Sequence, residues 1–202
     1  MARKAGYDRD QVLDRALALF WAKGYHATSL KDLEGALDLR PGSIYGGFGS
    51  KEALFAETLR RYAEQSGAQF DEMMAQVATP LAGLAAHVRA LGCRAAGGQM
   101  PSRACMLVKT LLETPDDDAA LRHQTEAAMQ RIEAGFAAAF RAARDSGEIA
   151  GDADPDYLAA RLQAAIFGLR AYAQRGDAGD RVAALAEGIA RDIEALARPP
   201  HH

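Results

Sequence analysis

Two cysteines, Cys93 and Cys105, in 202 residues are too few for a disulfide framework, and nothing beside them supplies the remaining ligands of a metal site. No run of 18 apolar residues exists, which excludes a membrane-spanning helix. The N-terminus, MARKAGYDRDQVL, has no apolar stretch before Val12, so no secretory signal is expected and the cytoplasm is the expected location. Nowhere do β-branched and polar residues alternate over any length, which argues against a sheet. Also missing are GxSxG, HExxH, a phosphate loop and any pair of carboxylates set in contrasting environments. Neither an enzyme nor a cofactor is expected.

What the chain does have is helix. Apolar residues make up 49% and charged residues 25%, ordinary values for a soluble globular protein, and the length allows a sizeable core in one or two domains. Nineteen glycines and seven prolines accompany long alanine-rich stretches, the composition of closely packed helices. The spacing of apolar residues and of cap signals predicts an all-α fold of about nine helices. They run over Asp8–Lys23, Ser29–Leu37, Pro41–Phe48, Lys51–Met74, Pro80–Ala96, Arg103–Glu113, Asp117–Ser146, Pro155–Gln174 and Ala178–Ala197.

The stretch from Thr28 to Phe55, TSLKDLEGALDLRPGSIYGGFGSKEALF, organises the rest. Thr28 or Ser29 can cap a short helix through Leu30, Leu33 and Leu37, with Asp32 three residues after Ser29 as in a capping box. Pro41 suits a first helical position, where its missing N–H costs nothing, and Ile44 and Phe48 share one face of the next helix. Ser50 then caps a third helix. Two short helices joined by a tight turn have the form of a helix-turn-helix, whose second helix enters the DNA major groove.

Charge is distributed in keeping with that reading. The net charge is −3, yet the first 62 residues hold a small excess of Lys and Arg and the remainder an acidic excess. Arg3 and Lys4 form a short basic arm. With Ile44 and Phe48 inward, Arg40, Ser43 and Gly47 fall on or near the opposite face. Arg40 suits a bidentate contact to guanine, or a phosphate contact, or plain exposure. The Tyr45 hydroxyl suits phosphate, although an aromatic beside a core residue also packs. Lys51 lies where a helix start offers free N–H groups, so lysine and amides can hold one phosphate together.

The segments ALALFWAKGYHATSL (Ala16 to Leu30) and PGSIYGGFGSKEALF (Pro41 to Phe55) resemble the N-terminal domain of the tetracycline-repressor family of transcriptional regulators. The likeness is specific over about residues 8–55. It implies a DNA-binding domain over 1–55 and a ligand-binding and dimerisation domain over 56–202. It further implies a homodimer on a palindromic double-stranded operator, released by a small molecule. By the family pattern Thr28, Ser29 and Leu30 open helix 2 near the DNA backbone. Arg40, Pro41, Gly42 and Ser43 front the recognition helix, and Tyr45 and Lys51 touch phosphates. The sequence departs from the family at Gly46 and Gly47, where a side chain often approaches the groove; two glycines offer backbone alone.

In the C-terminal part the resemblance places a chamber for a small apolar or aromatic ligand among helices 5 to 8. Met100, Cys105, Met106, Lys109, Met129, Phe136, Phe140 and Phe167 are the candidate lining; read singly, each is equally a core residue. Helices 8 and 9 carry Leu158, Leu162, Ile166, Leu169, Val182, Leu185, Ile189 and Ile193 at three- and four-residue steps, with small residues between them. These stripes suit either the chain's own core or a subunit contact, and the family usually dimerises through this pair. Cys105 is expected within the first turn of helix 6, two residues after Arg103, where its thiolate would be stabilised as in an oxidant or electrophile sensor; the other reading is an inert core thiol. A helical ligand-binding or protein-interaction module with a purely structural helix-turn-helix is the reading from another class.

Overall fold

The computed structural model describes residues 7–97, 100–114 and 118–198, and within them all regular structure is α-helical. The helices are α1 (Arg9–Lys23), α2 (Leu30–Leu37), α3 (Pro41–Phe48), α4 (Lys51–Ala75), α5 (Pro80–Ala96), α6 (Met106–Glu113), α7 (Ala119–Asp145), α8 (Pro155–Tyr172) and α9 (Arg181–Glu194). None is long and apolar enough to cross a membrane. The chain clusters into two compact units. One joins the residues up to Glu64 with Met106–Ala128; the other joins Gln65–Cys105 with the residues from Met129 onward.

In the first unit, α1 starts because the Asp8 carboxylate accepts from the amides of Asp10 (3.0 Å) and Gln11 (3.4 Å). It stops at Gly24, whose φ of 87° suits glycine and whose N–H bonds the Phe20 carbonyl. Between these ends Val12, Leu13, Ala16, Leu17 and Phe20 form one buried stripe. Phe20 meets the ring of Phe55 on α4 edge-on at 4.9 Å, and Trp21 meets Tyr62 of α4 at 5.1 Å. Leu33 and Leu37 of α2 and Ile44 and Phe48 of α3 complete this small core. Helix α6 belongs to the same unit: the Lys109 ammonium donates to the carbonyls of Trp21 (2.9 Å) and Ala22 (3.2 Å), satisfying acceptors that the end of α1 leaves open.

The second unit is built on α5 packed along α9. A side chain at Gly92 would collide with the Ala186 methyl, so glycine permits this close approach. Arg89 of α5 forks onto Glu187 (2.7 Å) and Glu194 (2.6 Å) of α9. Phe70, Leu84, Val88, Phe136, Phe140, Leu162, Ile166 and Leu169 form its core.

Among helix starts, the observed bounds differ most from the predicted ones at α6 and α9. Helix α6 begins at Met106, three residues later than expected, because the buried Arg170 guanidinium takes the carbonyls of Arg103 and Ala104 (both 3.1 Å) while Arg103 donates to the Ala173 carbonyl. Those groups are then committed to a tertiary turn in place of a helical ladder. Helix α9 begins at Arg181, since Ala178–Asp180 form a turn closed by the Arg181 amide on the Ala178 carbonyl. The start expected for α7 at Asp117 lies outside the described residues; Asp118 caps the helix instead, accepting from the Leu121 amide at 3.1 Å.

Of the residues expected at the subunit contact, Leu162, Ile166, Leu169, Val182 and Ile193 are buried in the unit's own core, and Leu158 and Ile189 pack partly against it. Of the expected set Leu185 is exposed. The outer face of α8 carries Tyr157, Ala160, Ala164, Gly168 and Ala171, and that of α9 carries Leu185 and Gly188.

Candidate nucleic-acid interface

Helix α2 is fixed by a complete capping box. The Ser29 hydroxyl accepts from the Asp32 amide (3.2 Å), and the Asp32 carboxylate accepts from the Ser29 amide (2.8 Å). Lys23 pairs with the same carboxylate at 2.8 Å, and these neighbours, Lys23 first, hold Asp32 well below the usual carboxylate range. Asp38, in the left-handed conformation at φ 53°, ends α2 and turns the chain. Thr28 is buried, and its hydroxyl donates to the Gly24 carbonyl at 2.6 Å. That commitment removes the side chain of Thr28 from the expected DNA-facing set.

Arg40 then caps α3 with its backbone carbonyl, accepting from Ser43 (2.9 Å) and Ile44 (3.1 Å), while its side chain makes no capping bond. Pro41 holds the first helical position as expected. Ile44 and Phe48 point inward, which turns Arg40, Gly42, Ser43, Tyr45 and Gly46 outward to solvent. Tyr45 is 41% exposed, a large apolar ring left uncovered on a short helix. Gly49 at φ 84° closes α3, its amide donating to the Tyr45 carbonyl.

Ser50 caps α4 by accepting from the Ala53 amide at 3.1 Å. Lys51 lies at the first helical position, its ammonium 4.4 Å above the Tyr25 ring, and burial lowers its pKa. Tyr25 donates to Glu52 at 2.8 Å; burial first, then Glu52, raises the pKa of the phenol, which keeps it a donor. A guanidinium and two hydroxyls are thus presented by α3, and an ammonium by the start of α4. Such a set offers donors to phosphates and base edges.

Gly47 differs from its neighbour. Any side chain there would collide with the Tyr7 hydroxyl, whereas a Cβ at Gly42 or Gly46 meets open space. The outward position expected for Gly47 is therefore taken by the segment that leads into α1. Tyr7, Arg9 and Tyr25 each act on a residue tens of positions away, and no local sequence signal marks them.

The residues expected around a ligand are spread over both units. Met106 and Lys109 belong to the first, where Lys109 is spent on the end of α1. Met100, Cys105, Met129, Phe136, Phe140 and Phe167 belong to the second. There Phe136 packs against Phe70 (5.2 Å) and the buried His87 (5.7 Å), whose pKa is lowered to about 4 by burial first, then by Arg94 and Arg170. Cys105 is buried and immediately precedes α6 instead of lying in its first turn, and Cys93 is exposed.

Residues 12–58 match the family described as bacterial regulatory proteins, tetR family, and residues 70–194 match the tetracyclin repressor-like C-terminal domain. The chain belongs to the tetR family of bacterial regulatory proteins. It is 30% identical to the HTH-type transcriptional repressor ComR of Escherichia coli (strain K12), over 89% of this chain and 86% of that one. It is 28% identical to the HTH-type transcriptional regulator YezE of Bacillus subtilis (strain 168), over 80% and 84%. Among solved structures it resembles the TetR family transcriptional regulator CifR, a cysteine mutant complexed with a 26 bp double-strand operator DNA. That likeness has a TM-score of 0.84 and 31% identity and covers 94% of this chain and 98% of that one. These matches support the architecture of that family, an N-terminal helix-turn-helix domain followed by a C-terminal helical domain.

Proposed function

We propose that the protein is a ligand-released repressor that binds a two-fold symmetric operator as a homodimer, reading it with the outer face of α3. The observation that carries this is the face itself: burial of Ile44 and Phe48 presents Arg40, Gly42, Ser43, Tyr45 and Gly46 together, with Lys51 at the next helix start. Arg40 is the base-reading residue, able to bond O6 and N7 of one guanine. Ser29, Leu30, Pro41, Tyr45 and Lys51 meet the phosphate backbone, and Gly46 lets the α3 backbone approach it closely. The relative CifR is bound to operator duplex, which supports the same target class for this chain.

Dimerisation uses the outer faces of α8 and α9. Tyr157 (61% exposed) and Leu185 (43%) stand there among Ala160, Ala164, Gly168, Ala171 and Gly188. Small residues at three- and four-residue steps allow helices to approach closely, and two protruding apolar side chains supply the knobs. For the switch, a small apolar or aromatic molecule bound in the second unit must favour a state whose two readers are wrongly spaced. Helix α4 runs from Lys51 into the second unit and is the element that carries that bias to the reader.

Selection of bound duplexes from random genomic fragments with the purified protein tests the proposal. An inverted repeat is the expected recovery; no symmetric sequence at low salt would contradict it. With the selected operator in hand, Lys51→Ala should weaken binding equally on specific and random duplex and lower the salt slope by about one.

A further inference from the structure

The C-terminal end of α3 is held from outside the helix. The Tyr7 hydroxyl occupies the place where a side chain of residue 47 would stand. Two residues on, Arg9 lies 4.3 Å over the Phe48 ring, donates through Nη1 to the Gly47 carbonyl at 2.8 Å and through Nη2 to both oxygens of Glu57 on α4 at 2.7 and 2.8 Å. Bridging that carbonyl and that carboxylate from two fixed nitrogens needs the planar guanidinium and is lost with lysine. One short segment before and at the start of α1 therefore touches the last turn of α3 through a ring, a carbonyl bond and a cation–π contact.

Helix α3 has need of such support. It has eight residues, no side-chain cap at its start and consecutive glycines at 46 and 47. Helices this short do not stand alone, and glycine is the poorest helix former after proline. Only tertiary contacts can fix the angle at which such a helix projects its outer face. A bidentate contact from Arg40 to a base edge depends on that angle.

We propose that Tyr7 and Arg9 clamp the C-terminal end of α3 and are positioning residues for operator recognition, with glycine needed at 47 to admit the Tyr7 hydroxyl. The proposal rests on the reading of α3 as the DNA reader for its functional half only; the clamp is a property of the free protein. Its sign is opposite to that of helix propensity. Gly47→Ala in a helix should by propensity tighten α3, whereas here the new methyl expels Tyr7 and should loosen it.

The test is a mutant cycle on the full chain with two readouts. The variants are Gly47→Ala, Tyr7→Ala, Tyr7→Phe, Arg9→Lys and the pairs of Gly47→Ala with each Tyr7 change. Amide hydrogen exchange over residues 44–49 is followed in the free protein. Binding to the selected operator is compared with binding to a scrambled duplex. Gly47→Ala and Tyr7→Ala should each speed exchange about tenfold, and their pair should be no worse than either, since both empty the same seat. Tyr7→Phe alone should stay near wild type, and paired with Gly47→Ala it should recover most of the loss, because the colliding atom is gone. Slower exchange in Gly47→Ala, or additive effects, would overturn the clamp, even if the wild type bound no duplex at all. Operator affinity should fall with exchange protection, Arg9→Lys included, and fall more than affinity for scrambled DNA. Equal losses on both duplexes would overturn the positioning role while leaving DNA binding intact.

Discussion

Helices α2 and α3 are each eight residues long and adjacent in the chain, yet their ends are secured differently. Helix α2 carries its own start in the reciprocal bonds of Ser29 and Asp32 and its own end in the left-handed Asp38. Helix α3 begins on an Arg40 whose side chain caps nothing, and its last turn leans on Tyr7 and Arg9. Helix α2 spends Ser29, Asp32 and Asp38 on its own termini. On the reading proposed above, α3 keeps Arg40, Ser43 and Tyr45 available for DNA, so its geometry is imposed by residues elsewhere.

The largest test of this contrast is in the core. Ile44→Ala should destabilise the protein by about 2–5 kcal/mol in denaturant titrations, because Ile44 is fully buried and α3 has little else of its own. A cost under about 1 kcal/mol would mean that α3 is held without that side chain.

Acid should separate the regions. His87 lies in the second unit with a pKa lowered from 6.5 to about 4, so unfolding takes up a proton between those values. The folded state favours the neutral ring; its contribution is complete above about pH 6.5 and is lost as pH falls toward 4, by at most about 3 kcal/mol. His87→Phe should flatten that part of the stability profile, and an unchanged slope would remove His87 as its cause. In the reader the loss comes lower. Asp32 is held below the usual carboxylate range, so its stabilisation is present above about pH 4 and disappears as pH falls further. Resonances of the first turn of α2 should therefore move in acid before those of α3, which has no carboxylate in its cap.

Smaller effects divide stability from function. Ser29→Ala should cost about 1 kcal/mol through the lost cap of α2. Arg40→Asp should do the reverse, adding up to about 1 kcal/mol by capping α3 while abolishing operator binding. If Arg40→Asp bound the operator normally, the free start of α3 would have no functional reason.

Local signals were enough for much of this architecture. Pro41, Ser50 and Thr79-Pro80 mark helix starts at which the structure agrees with the sequence, and the stripe of α1 was visible in its spacing. What the sequence hid depends on partners far along the chain. The late start of α6 is set by Arg170, some 67 residues downstream of Arg103. The glycine at 47 is explained by Tyr7. Apolar spacing on α8 and α9 does not say which side of a helix meets its own core, so it groups the buried Leu162 and Ile166 with the exposed Leu185 and leaves out the exposed Tyr157.

The most direct test lies at Arg40. Equilibrium binding of Arg40→Ala should be measured against the selected operator and against a scrambled duplex of the same length, at one salt concentration. A loss of about 1–3 kcal/mol confined to the operator is the predicted result, because a base contact carries sequence information and a phosphate contact does not. No loss on the operator, or the same loss on both duplexes, would contradict the claim that Arg40 on the outer face of α3 reads the bases.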